Sequence, residues 1–210
     1  VVIWIVSSFI DRERPQPLIF HFEGVKSLEE IEFVRQEYDE IVPISTKEGK
    51  LEFLLTAPAS VVGKMDMTEM KYQLLADSLI QVTLPDVIIS DVLIKMDDVK
   101  DYFNKGRSIS LFLSGGGKDY DKVYDQIVSS LEEAKKGVLA SAINNDIISE
   151  TDRKARAYMI NMGETLGYRI EFVEKKKDKS FEEDLKHRLG GDLWRKIRHK
   201  VGEYEKPIEK

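Results

Sequence analysis

Apolar positions along this chain follow two rhythms. Val1 to Ser8 (VVIWIVSS) is a near-continuous run rich in β-branched residues, and Leu18 to Glu23 (LIFHFE) is a second. The turn-like DRERPQP lies between them, too short for a parallel return, so the two read as a hairpin. From Ser27 the rhythm changes. Leu28, Ile31, Phe33, Val34 and Tyr38 recur at helical spacing behind Ser27-Leu-Glu-Glu30, a capping box, which predicts a helix. Strands are expected at Ile41–Thr46 and Leu51–Thr56, turning on Lys47-Glu-Gly-Lys50, and a helix at about Thr68–Val82 with Met70, Leu74, Leu75 and Leu79 on one side.

The middle of the chain alternates. VIISDVLI (87–94) reads as a strand, Asp97–Asn104 as a helix, SISLFLS (108–114) as a strand and Tyr120–Lys136 as a long helix. The last third offers a strand VLASAI (138–143), a helix Ser149–Leu166 stopped by Gly167, a strand YRIEFVEK (168–175) and a basic helix broken at Gly190-Gly191. An early hairpin followed by strand–helix alternation predicts an α/β fold with one central mixed β-sheet flanked by helices. Residues 1–180 are expected to form the core, and 181–210 a basic C-terminal helical segment packed on it or on a partner.

Composition narrows the chemistry. The chain has 210 residues, 42% of them hydrophobic, enough for an ordinary core. There is no cysteine, which excludes disulfides, thiolate zinc sites and cysteine nucleophiles. Its three histidines, His21, His187 and His199, are too scattered for a metal site or a serine triad. No apolar run is long enough to span a bilayer and no leader pattern opens the sequence, so a soluble cytoplasmic protein is expected. Abundant Lys, Glu and Ile would suit a heat-adapted archaeal or viral source.

Charge is segregated. Residues 1–146 carry 16 Lys and Arg against 25 Asp and Glu, whereas residues 147–210 carry 16 against 13. Within Lys186 to Lys200 stand Lys186, Arg188, Arg195, Lys196, Arg198 and Lys200 with a single acid, Asp192, and with Trp194 among them. Such a stretch can neutralise phosphates and offers an aromatic for stacking on a base, so these residues are the candidate nucleic-acid contacts.

Two further motifs carry candidate chemistry. Ser114, Gly115, Gly116, Gly117 and Lys118 lie between an expected strand and an expected helix. Backbone amides and the helix dipole there would welcome a phosphate, with Lys118 as counter-charge. The stretch resembles the SGG-x-D signature of PP-loop ATP pyrophosphatases, and also a Gly-Gly-x-Lys turn of CARF domains. The second resemblance implies a non-catalytic sensor of nucleotides, with Ser7-Ser8 as an early ligand loop.

The other motif is Pro85-Asp86 before one strand and Glu174-Lys175-Lys176 at the end of another. This resembles the PD-(D/E)xK nuclease superfamily, which includes archaeal Holliday junction resolvases. The resemblance implies a Mg²⁺-dependent nuclease acting on DNA, with Asp86 and Glu174 on the metal and Lys176 beside the water or scissile phosphate. Asp91, Lys95, Glu150 and the pair Glu23 with Lys26 are secondary candidates. The resolvase and CARF resemblances both imply a homodimer. The expectation is therefore a metal-dependent nuclease, with a phosphate-binding nucleotide sensor or DNA-binding regulator as the alternative.

Overall fold

Alternation, not helical spacing, governs the stretch from Glu30 to Ser45 in the computed structural model, which describes residues 24–45, 51–76, 78–102, 120–173 and 179–204. Strand β1 (Glu30–Ser45) pairs antiparallel with β2 (Leu51–Asp66) over nearly its whole length, from Glu30 opposite Asp66 to Ser45 opposite Leu51. Val34, Val42 and Ile44 of β1 are buried on one face with Leu55, Ala57, Ala59, Val61 and Met65 of β2. Glu37, Asp39 and Ile41 face the other way and are exposed.

The expected helix at 27–38 is thus a strand. A register shift between Glu32 and Val34 changes the phase of the alternation, so that half-buried Ile31 and Phe33 and buried Val34 all serve the interior. That break places apolar residues at 31, 34 and 38, the spacing of a helix. Ser27 caps no long helix; its hydroxyl donates to the Gly24 carbonyl oxygen at 2.6 Å, closing one helical turn.

On its other side β2 pairs in succession with β5 (Val87–Ile89), β6 (Leu93–Ile94) and β7 (Lys100–Asp101), all antiparallel. The expected strand 87–94 is therefore broken at 90–92. The expected helix from Asp97 shrinks to a single 3-10 turn, Met96–Asp98, before β7. The expected helix 68–82 is also a hairpin. Asp66 accepts from the Thr68 backbone N–H at 3.0 Å to start a 3-10 turn, and β3 (Lys71–Ala76) then pairs with β4 (Leu79–Thr83), Tyr72 opposite Val82 and Leu74 opposite Ile80. Ile80 and Val82, fully buried, alternate with half-buried neighbours, which is the strand signal.

Helix α1 (Tyr120–Asn144) continues through 138–143, where a strand is expected from sequence. Val138, Leu139, Ala140, Ala142 and Ile143 are all buried because α1 lies on β1 and β2 and is itself covered by the last helix. A helix buried on every side has no polar stripe to reveal it. Helix α2 (Ile147–Thr165) and strand β8 (Arg169–Phe172) sit where the pattern places them. β8 pairs parallel with β4, so the second sheet, in the order β3-β4-β8, is mixed. The fold is α/β, as expected, but with two sheets instead of one. Strands expected at 1–8, 18–23 and 108–114 lie outside the described residues.

α2 approaches β2 so closely that a Cβ at Gly63 would stand 2.0 Å from Thr151 Oγ1, whose hydroxyl donates to the Ile147 carbonyl oxygen. Beside this contact a small polar set ties β1 to the end of α1. Tyr38 donates to Gln36 Oε1 at 2.6 Å and accepts from Asn145 Nδ2 at 3.3 Å, and Gln36 Nε2 donates to the Asn145 carbonyl oxygen at 3.1 Å. Burial pushes the Tyr38 phenol above its usual range.

The last helix, α3 (Lys179–Tyr204), is two helices joined at Gly190, which takes φ 73° and ψ 166°. Only glycine occupies that conformation readily. Leu185 and Leu189 of the first half and Trp194, Ile197 and Val201 of the second are buried in the common core. Arg188 fixes the first half to the sheet. Its guanidinium donates to the Ile89 carbonyl oxygen at 2.8 Å and to the Ser90 carbonyl oxygen at 2.6 Å, at the end of β5 where the strand breaks. Ser90 Oγ completes the break by accepting from the Val62 N–H at 2.9 Å.

Two stability measurements follow. Gly63→Ala should cost about 1–3 kcal/mol in urea unfolding through overpacking, and Thr151→Ala in the same chain should recover a large part of it; additive losses would show that the two sites do not meet. Arg188→Ala should cost about 2 kcal/mol by removing both hydrogen bonds, with Arg188→Lys restoring only part because an ammonium cannot span both acceptors. A loss below about 0.5 kcal/mol, the level of an ordinary surface change, would contradict the contact.

Candidate nucleic-acid interface

The second half of α3 has a dry side and a charged side. Trp194, Ile197 and Val201 recur at helical spacing and point into the core, Trp194 being only 6% exposed. Arg195, Lys196, Arg198 and His199 are exposed around the rest of the helix, Arg198 flanking the buried stripe, and Lys200 is half-buried. Fewer than two turns of helix, residues 195–200, thus carry four of the six Lys and Arg read from sequence. The first half of α3 is different: exposed Glu182, Glu183 and Asp184 offset Lys186 and His187.

Two sequence-predicted contacts are corrected here. Trp194 cannot stack on a base, because its indole packs in the core. Arg188 is a structural clasp, with its side chain only 19% exposed and further ion pairs at 3.4 Å to Asp91 and to Asp184. Neither role has a signature in a stretch of charged residues. The difference depends on which residues the strand break at 90–92 brings beneath the helix.

Of the remaining cations, Arg195 pairs with Asp192 one turn earlier and also donates from Nε to the Gly191 carbonyl oxygen at 3.3 Å. Lys200 reaches Asp146 Oδ1 at 3.1 Å, in the turn between α1 and α2. Asp146 holds a left-handed backbone conformation there, φ 60°. Lys186, Lys196 and Arg198 are exposed.

The other candidates are dispersed. Asp86 is half-buried in the link between β4 and β5. Asp91 lies at the strand break beside Arg188, Lys95 pairs with Glu37 at 3.8 Å, and Glu150 serves Arg153 and Lys154 on its own helix. Glu174, Lys176, Ser114, Gly115, Gly116, Gly117, Lys118 and Glu23 lie outside the described residues. Among the described residues no three His, Asp or Glu side chains come together to hold a metal ion. Nor is any helix among them long and apolar enough to cross a membrane. A shallow groove of about 390 Å³ runs along α2, lined by Tyr158, Asn161, Met162, Thr165 and Leu166. It holds no charged side chain.

Comparison with known proteins corrects the family reading. Neither the curated proteins nor the solved structures gave a match. One family model does match, over residues 23–173, and it is neither the PD-(D/E)xK nucleases nor the CARF domains. The nuclease and CARF resemblances are therefore withdrawn. The match runs from just before β1 to just after β8, through both sheets and the helices α1 and α2, and so places the chain in a family described as proteins of unknown function, DUF4230.

Proposed function

We propose that this chain is a binding module that holds a nucleic-acid backbone against the second half of α3 and does no chemistry on it. One observation carries the reading: Arg195, Lys196, Arg198 and His199 are all exposed along one short stretch of helix, while Trp194, Ile197 and Val201 anchor its inner side. The cations therefore stand on a rigid support, which lowers the entropy lost when they engage phosphates.

Because its apolar side is packed into the core, the helix is expected to lie across the backbone and not to enter a groove deeply. Phosphate contacts position a protein without reading bases. Arg195, Lys196 and Arg198 suffice for about three phosphates, which places the affinity in the weak, non-specific range and makes it strongly dependent on salt. The acidic remainder of the chain confines the contact to this face.

Fluorescence anisotropy of a labelled mixed-sequence duplex tests this. Binding is expected at about 50 mM salt, with log K falling against log salt at a slope of about −3. Replacing Arg195, Lys196 and Arg198 together by Glu should abolish it. No binding at low salt, or a charge-reversed variant that binds as tightly as the parent, would overturn the reading.

A further inference from the structure

The β1–β2 hairpin has a second side. α1 and α2 lie on the side that buries Val34, Val42 and Leu55, so alternation turns Arg35, Glu37, Asp39, Ile41 and Pro43 of β1 the other way, and all five are exposed. β2 contributes half-buried Leu54, Pro58 and Val62 down the middle of this side. Its far margin is built by β5, β6 and β7, with Ile88 opposite Lys64, Leu93 opposite Ser60 and Lys100 opposite Thr56. Leu93 is 60% exposed there, and Ile41 on the β1 margin 47%. Apolar side chains this open, rimmed by charge on one side of a sheet, are what a contact surface presents.

The charges on that rim are divided. The β1 margin is acidic at Glu37 and Asp39, and the margin across β2 from it is basic at Lys95 and Lys100. Lys95 reaches Glu37 at 3.8 Å, a loose pair between exposed side chains. Asp39 and Lys100 form no ion pair among the described residues. Arg35, the cation on the acidic margin, is held by Glu32 at 2.7 Å, and Asp97 and Asp98 belong to the 3-10 turn outside the ladder. Asp39 stands opposite Pro58 and Lys100 opposite Thr56, one step of the alternation apart on the two sides of β2.

We propose that a second copy of this chain covers this side of the five-stranded sheet, the two copies packing face to face about a two-fold axis that runs along β2. Such an axis exchanges the two margins, so Asp39 of each copy comes over Lys100 of the other, and the apolar middle row of β2 meets its own copy. The size suits a stable pair. β1 and β2 each run 16 residues, and with the third rank of strands the side spans about 700 Å², close to the ~800 Å² per partner of a standard interface. The pairing does not rest on the backbone-binding reading. α3 lies over α1, beyond the opposite side of the sheet, so the pair leaves both cationic stretches outward.

Sedimentation equilibrium of the full chain over a range of concentrations tests the pairing, with circular dichroism confirming that each variant keeps the parent's fold. The parent should dimerise, and Leu93→Glu should raise the dissociation constant at least about tenfold by burying charge in the interface. Asp39→Lys and Lys100→Glu each set like charges against one another twice in the pair, and each should weaken it about tenfold. Mixed in equal amounts, the two variants should pair as tightly as the parent, because both contacts between unlike copies again join opposite charges. A parent that is monomeric at every concentration overturns the proposal, and the side is then open to solvent or to a different partner. A dimer that Leu93→Glu leaves intact overturns it as well, since the copies then meet elsewhere. So does a mixture that pairs no better than its components, which contradicts the axis along β2.

Discussion

The covering of one face of the β1–β2 hairpin is the constraint on which the rest depends. Two paired strands of this length put Val34, Val42, Ile44, Leu55, Val61 and Met65 on a single side, and a two-stranded ribbon is at best marginal in water. The side must be closed by other elements. α1 and α2 close it, and closing it fixes their composition: α1 buries five of the six residues at 138–143, all but half-buried Ser141, because it has the hairpin below and α3 above, and Thr151 of α2 meets a glycine, Gly63, because a larger residue there would hold α2 away. Burial of apolar surface supplies the driving force, and close packing dictates the sequence at the contact points.

The cationic face follows from the same closure. α3 can cover α1 only by turning Leu185, Leu189, Trp194, Ile197 and Val201 inward, which leaves Arg195, Lys196, Arg198 and His199 outward. The helix bends at Gly190 because its two halves meet different neighbours: the first is held by Arg188 to the broken edge of the sheet, the second lies on apolar side chains. A face positioned by packing in this way presents its charges in a fixed arrangement without any contact among the cations themselves.

What the sequence revealed and what it hid have physical causes. α2, β8 and the glycine break in α3 are legible because each carries its own period and its own stop, Gly167 and Gly190 among them. The helix expected at 27–38 fails because a bulge shifts a strand's phase and leaves apolar residues at helical intervals. The strand expected at 138–143 fails because burial of all but Ser141 erases the pattern that separates helix from strand. In the candidate face, Arg195, Lys196 and Arg198 are legible as charge on a helix, whereas Arg188 and Trp194 are not, since only the tertiary neighbours at 89–90 and along α1 assign them inward roles.

The orientation of α3 is the claim from which the functional reading descends, and Trp194 reports on it. With Trp4→Phe leaving a single indole, emission of the folded chain should be blue-shifted and iodide should quench it far less than free indole, because Trp194 is buried against the core. A red-shifted emission quenched as freely as in the unfolded chain would mean that the helix presents its apolar side to solvent, and the outward cationic face would go with it.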